Sequence, residues 1–134
     1  MESGLVVVAA AVVLASEGYE LREPDRNITR LEVALGYLHE HFREPLPMET
    51  LASQAGMSLP AFHRFFRERM GRAPGSYLLE VRLSHIARQL IETEASVSEI
   101  AFAAGFNNLS NFNRQFLRRF DLTPGAYRRR AAGH

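Results

Sequence analysis

In this chain of 134 residues, the side chains best suited to chemistry are arginines, asparagines and serines threaded between phenylalanines. Arginines stand between the phenylalanines of the stretch Leu51 to Tyr77, and arginines, asparagines and a serine between those of the stretch Ile100 to Tyr127. At about 100° per residue, Phe62, Phe66 and Met70 share one side of a helix, while Pro60, Arg64 and Arg67 lie opposite, with His63 at the flank. The same construction turns Phe112, Phe116 and Phe120 inward and Ser110, Asn111, Arg114 and Arg118 outward, with Asn113 flanking. The outward set carries the chemistry of base recognition: Arg can grip guanine O6 and N7, Asn can grip adenine N6 and N7, and Ser serves several edges. Such contacts need rigid presentation, so the phenylalanines are assigned to the core that anchors each helix and not to base stacking.

The elements that would do this positioning occur twice. "LASQAGMSLPAFHRFFRERMGRAPGSY" (Leu51 to Tyr77) and "IAFAAGFNNLSNFNRQFLRRFDLTPGAY" (Ile100 to Tyr127) match in order, Gly56 with Gly105, Phe62 with Phe112, Arg64 with Arg114, Phe66 with Phe116 and Tyr77 with Tyr127. The second copy has an extra residue in its turn. Each copy is a short helix, a turn opening with Gly and a longer helix, the pattern of a helix-turn-helix. Between them "PGSYLLEVRLSHIARQLIE" (Pro74 to Glu92) has apolar residues at helical spacing. A helix of that span is roughly 28 Å long at about 1.5 Å per residue, close to one turn of duplex, about 34 Å, so the spacing suits successive major grooves. "SVSE" (Ser96 to Glu99) is a capping box, and Thr123 and Pro124 fit the N-cap and first position of a last short helix. "TRLE" (Thr29 to Glu32) has capping-box spacing before Leu31, Leu35, Leu38 and Phe42, and Pro45 and Pro47 end that helix, the second proline opening the next. "EGYELREPDRN" (Glu17 to Asn27), polar and containing Pro24, reads as a linker. The expected organisation is an apolar segment and linker over 1–27, then one all-α domain over 28–134. Within it the first helix-turn-helix falls near 48–70, the linking helix near 74–92 and the second helix-turn-helix near 97–119.

Charge is divided along the chain. Residues 1–55 hold four Arg against nine acids, and residues 56–134 hold twelve Arg against six, so the formal net charge of +1 hides a basic C-terminal half suited to an anionic partner. Every basic residue is Arg, whose planar fork matches phosphate and guanine. The absence of Cys removes disulfides, thiolate nucleophiles and Cys-based zinc sites, and suits a reducing cytoplasm. "LVVVAAAVVLA" (Leu5 to Ala15) is shorter than the roughly 20 residues a membrane span needs and lacks the basic leader of a secretory signal. It is expected to be buried, as the edge of a companion domain or a dimer contact. His39 and His41 are two apart, diverge on a helix and cannot chelate one metal, so they are assigned to the exposed surface. No phosphate loop, nucleophile elbow or acid-base carboxylate pair is present. No enzyme activity, metal or cofactor is therefore expected, and "RRR" (Arg128 to Arg130) is assigned to a solvated or phosphate-touching tail. The competing expectation is a helical protein-interaction module whose acidic first half and apolar N-terminus bind another protein.

The set Ile100, Ala101, Gly105, Phe106, Ser110, Phe112, Arg114, Phe116, Thr123, Pro124, Tyr127 and Arg128 resembles the signature of the AraC/XylS family of bacterial transcription regulators. Leu51, Ala52, Ser58, Phe62, Arg64, Phe66, Gly71, Pro74, Tyr77 and Arg82 carry the resemblance through the first half. It implies an all-helical domain of about seven helices, in which two homeodomain-like helix-turn-helix units are joined by a long helix. It also implies binding to double-stranded promoter DNA, usually with activation through RNA polymerase. Position by position, the family's base readers fall on Pro60, His63, Arg64 and Arg67, and on Leu109, Ser110, Asn113 and Arg114. Three departures stand out. Asp121 replaces the usual Gly, Leu117 replaces a basic residue, which should weaken backbone contact, and Pro60 offers only an apolar surface suited to a thymine methyl.

Overall fold

The computed structural model describes residues 23–133, so the apolar segment Leu5 to Ala15 lies outside the described residues. Those residues form seven helices and no strand: α1 (Glu23–His41), α2 (Met48–Gln54), α3 (Leu59–Met70), α4 (Pro74–Glu92), α5 (Val97–Ala103), α6 (Leu109–Phe120) and α7 (Pro124–Ala132). None of these helices is long and apolar enough to cross a membrane.

The chain divides into two compact units, one of residues 23–41 and 46–77 among those described, the other of residues 42–45 and 78–133. In the first, α1 packs on α2 and α2 on α3. Leu38, Leu51, Phe62 and Phe66 are fully buried there, with Ala34, Ala52, Ala55 and Phe65 closing the core. In the second, α5 packs on α6 and α6 on α7. Its core joins Leu83, Ile86 and Leu90 of α4 to Ile100, Ala101, Ala104, Phe106, Phe112 and Phe116. Burying each such Phe contributes about 1.5–3 kcal/mol of transfer free energy. The two cores are therefore what hold the third and sixth helices in place.

Local chemistry starts and stops the helices much as the spacing predicts. Ser96 caps α5, its Oγ accepting from Glu99 N at 3.1 Å while donating to Glu99 Oε1 at 3.0 Å. Thr123 caps α7 through Ala126 N at 3.1 Å, with Pro124 in the first turn. One expectation fails at α1. The helix begins at Glu23 and not at the Thr29 capping box, so the second half of the supposed linker is helical. Pro24 causes no break because a first-turn N–H has no helical partner to lose. At the other end α1 stops at His41, before Phe42. Pro47 is the N-cap of α2 and not its first helical residue, its carbonyl accepting from Thr50 N at 3.0 Å.

His39 also departs from the expected exposed position. It is half-buried, with Nε2 3.0 Å from the Tyr77 hydroxyl and the two rings edge to face. Its Nδ1 is buried without a partner, and burial lowers its pKa. Thirty-eight residues separate the two partners, so no local pattern reveals the pair. His41, also expected at the surface, is partly covered and stacks on Tyr37 at 4.2 Å.

Candidate nucleic-acid interface

The third and sixth helices are built alike from the inside outward. In α3 the Phe62 and Phe66 rings are 5.7 Å apart at 55°, and Tyr77 meets Phe66 edge-on at 5.7 Å. In α6 Phe112 and Phe116 are 5.7 Å apart at 56°, and Tyr127 meets Phe116 edge-on at 5.5 Å. All four phenylalanines have zero exposure. Edge-to-face and tilted aromatic pairs add about 0.5–1.5 kcal/mol each beyond burial, and their directional preference resists rotation of the helix about its axis. The same ridge thus fixes the same register in both units.

On α3, Pro60, Arg64 and Arg67 are exposed and His63 is half-buried, lying edge-on to Phe62 at 6.5 Å. On α6, Leu109, Ser110, Asn113, Arg114 and Arg118 are exposed. Asn111 differs from the outward position assigned to it. It is half-buried at the flank, and its Oδ1 accepts from Arg114 Nη2 at 3.1 Å and from Gln115 Nε2 at 3.4 Å. Asn108 caps α6, its Oδ1 accepting from Asn111 N at 2.8 Å, whereas Ser58 caps α3 through a longer contact of 3.4 Å to Ala61 N. Leu117, where α3 has Arg67, is 47% exposed and gives the second surface an apolar spot in place of a cation.

Several arginines do other work. Arg82 donates from Nε to Phe42 O at 2.7 Å and from Nη2 to Glu44 O at 2.9 Å, pinning the turn that follows α1, and burial lowers its pKa. Arg128 departs from the solvated tail predicted for it: it lies within α7 and donates to Leu90 O at 2.9 Å and Thr93 O at 3.2 Å at the end of α4. Both side chains satisfy carbonyls that a helix end or turn leaves without main-chain donors. Arg119 donates from Nε to both Glu80 carboxylate oxygens, at 3.0 and 2.8 Å, and that hydrogen bond raises its pKa. Phe65, off the ridge of Phe62 and Phe66, is 8% exposed and carries Arg69 over its ring at 5.5 Å. Its position three residues after Phe62 was the available signal. Among the described residues no group of three or more His, Asp or Glu is placed to hold a metal ion.

A family model described as a helix-turn-helix domain matches residues 51–130. The HTH-type transcriptional activator RhaS of Klebsiella pneumoniae (strain 342) is 34% identical over 113 residues, covering 84% of this chain and 41% of the relative. The chain thus spans about two fifths of the curated relatives it matches. Among solved structures, the DNA-binding domain of the global transcriptional factor AdpA, in complex with a target DNA, is 33% identical with a TM-score of 0.74, covering 78% of this chain and 94% of that one. A Chromobacterium violaceum transcriptional regulator with an AraC-type DNA-binding domain is 29% identical with a TM-score of 0.71, covering 77% and 92%. The all-α architecture, the duplicated unit and the extent of the family match together make this chain a member of the AraC/XylS family of helix-turn-helix proteins.

Proposed function

We propose that this chain is a sequence-specific DNA-binding transcription regulator, an activator, whose α3 and α6 enter successive major grooves of a promoter. The observation that carries this reading is the shared register of the two helices: with Phe62 and Phe66, or Phe112 and Phe116, fully buried, Arg64 and Arg114 fall at equivalent exposed positions. Pro60, His63, Arg64 and Arg67 are the base-facing set of the first unit. Leu109, Ser110, Asn113, Arg114 and Arg118 are that of the second. The AdpA complex supports DNA as the partner and the RhaS name supports activation as the outcome; RNA polymerase as a second contact belongs to the proposal alone.

Selecting bound duplexes from a random pool tests the proposal. The chain is expected to enrich a two-part site with half-sites about one helical turn apart, and its affinity is expected to fall steeply with added salt. Arg114→Ala is expected to cost about 1–3 kcal/mol at the selected site and to relax preference at one base pair. Enrichment of no sequence would refute specific recognition. Run-off transcription from a promoter carrying the site, with and without the protein, distinguishes activation from repression.

A further inference from the structure

We infer that Asn111 is a positioning residue that holds Arg114 for base recognition and does not itself read a base. This inference rests on the proposed DNA-binding role of α6. Asn111 stands at the centre of a short relay: its main-chain N–H donates to the capping Asn108, and its side-chain oxygen accepts from Arg114 one turn further on. Gln115 Nε2 approaches the same oxygen at 3.4 Å, a second and longer contact beside the Arg114 bond. An Asn that reads adenine uses its oxygen to accept from N6, and here that oxygen is already engaged within the protein.

The consequence for Arg114 follows from the shape of its guanidinium. One Nη2 hydrogen goes to Asn111, which leaves the other Nη2 hydrogen and the two on Nη1, so a contact through both Nη atoms stays open to a guanine edge. Fixing the plane before DNA arrives removes part of the side-chain ordering that recognition would otherwise demand. The first unit has no counterpart: Ala61 and Phe65 occupy the equivalent positions and offer Arg64 no side-chain acceptor.

The test is duplex selection, followed by affinity measurement on the selected site and on its single-base-pair variants, with the whole chain as it exists. Asn111→Ala removes no core group and favours helix, so folding is retained, which circular dichroism verifies. It is expected to reduce preference by roughly threefold to tenfold at the base pair that Arg114→Ala relaxes, and at no other, the range expected for one lost hydrogen bond. In the Arg114→Ala background the same change should have no further effect. Asn111→Asp keeps the acceptor, so it should restore the preference while lowering affinity for every duplex, because it adds a negative charge near phosphate. If Asn111→Ala altered a base pair untouched by Arg114→Ala, Asn111 would be a direct reader and the inference would be wrong. An unchanged selection profile for Asn111→Ala would also overturn it while leaving the proposed function standing. A wild-type chain that selects no sequence would remove both.

Discussion

Gly56 and Gly105 occupy the same place in the two helix-turn-helix units and share a positive φ, +69° and +105°, yet their surroundings differ. A Cβ at Gly56 would meet nothing within 4 Å. A Cβ at Gly105 would lie 2.8 Å from Arg82 Nε, 2.9 Å from Arg82 Cζ and 2.9 Å from Phe42 O, on top of the hydrogen bond that pins the turn after α1. The first glycine answers a local demand of the backbone, and the second answers a local and a tertiary one. The cores differ in parallel. Phe106 and Phe120 extend the aromatic cluster of the second unit, where the first has the half-buried, more adaptable Met57 and Met70. Duplication has preserved the register of the recognition helix while each unit settled its own packing.

The glycine contrast offers the largest expected effect. Gly105→Ala should cost about 3 kcal/mol or more, because left-handed strain adds to a collision that either breaks the Arg82 bond or moves the turn, whereas Gly56→Ala should cost about 1 kcal/mol from strain alone. Urea unfolding followed by circular dichroism measures both, and equal costs would erase the distinction. A smaller effect is expected where α3 and α6 end. Gly71 and Asp121 both adopt the left-handed conformation, with φ of 74° and 60°. Asp tolerates this better than most residues, yet it also places an anion at a helix C-terminus. Asp121→Gly should therefore gain about 0.5–1 kcal/mol, and Gly71→Asp should lose a similar amount.

The subtlest contrast is in pH dependence. His39 in the first unit is held below its ordinary pKa chiefly by burial. His85 in the second is lowered by burial and then by Arg43 and Arg88, with Glu92 opposing them. As pH falls through the unfolded value, about 6.5, the unfolded chain takes up protons before these imidazoles do. Their contribution to stability is thus complete above that value and is lost on acidification until the folded groups protonate. His39→Gln and His85→Gln should each flatten the slope of the unfolding midpoint between neutral and mildly acid pH. Added salt should weaken the His85 part more, since only there do neighbouring arginines contribute. Glu32, raised by burial, acts in the opposite sense at lower pH, which confines the comparison to the mildly acid range.

The duplication, the caps on α5 and α7 and the aromatic ridges were legible because each is a pattern of short range: a period, a box of four residues, a Thr-Pro pair. Pro24 is ambiguous at short range, since a proline marks a linker or a first turn with equal force until the packing of α1 decides between them. Phe65 falls outside the ridge because it stands a step of three from Phe62, whereas the ridge runs in steps of four. His39 with Tyr77, Arg82 with the turn after α1 and Arg128 with the end of α4 join residues more than thirty positions apart, so no local signal could find them. The inward lean of Asn111 has a different origin: a helical wheel gives its angle and says nothing of the neighbour that engages its oxygen.

The clamps on main-chain carbonyls also change what the formal charge means. Of the twelve arginines in residues 56–134, Arg82 and Arg128 direct donors to peptide oxygens and Arg119 is matched by Glu80. Guanidiniums engaged in this way keep their charge but are poor exchangers of counterions. The number of ions displaced when a polyanion binds should accordingly fall short of the count of arginines in this half of the chain.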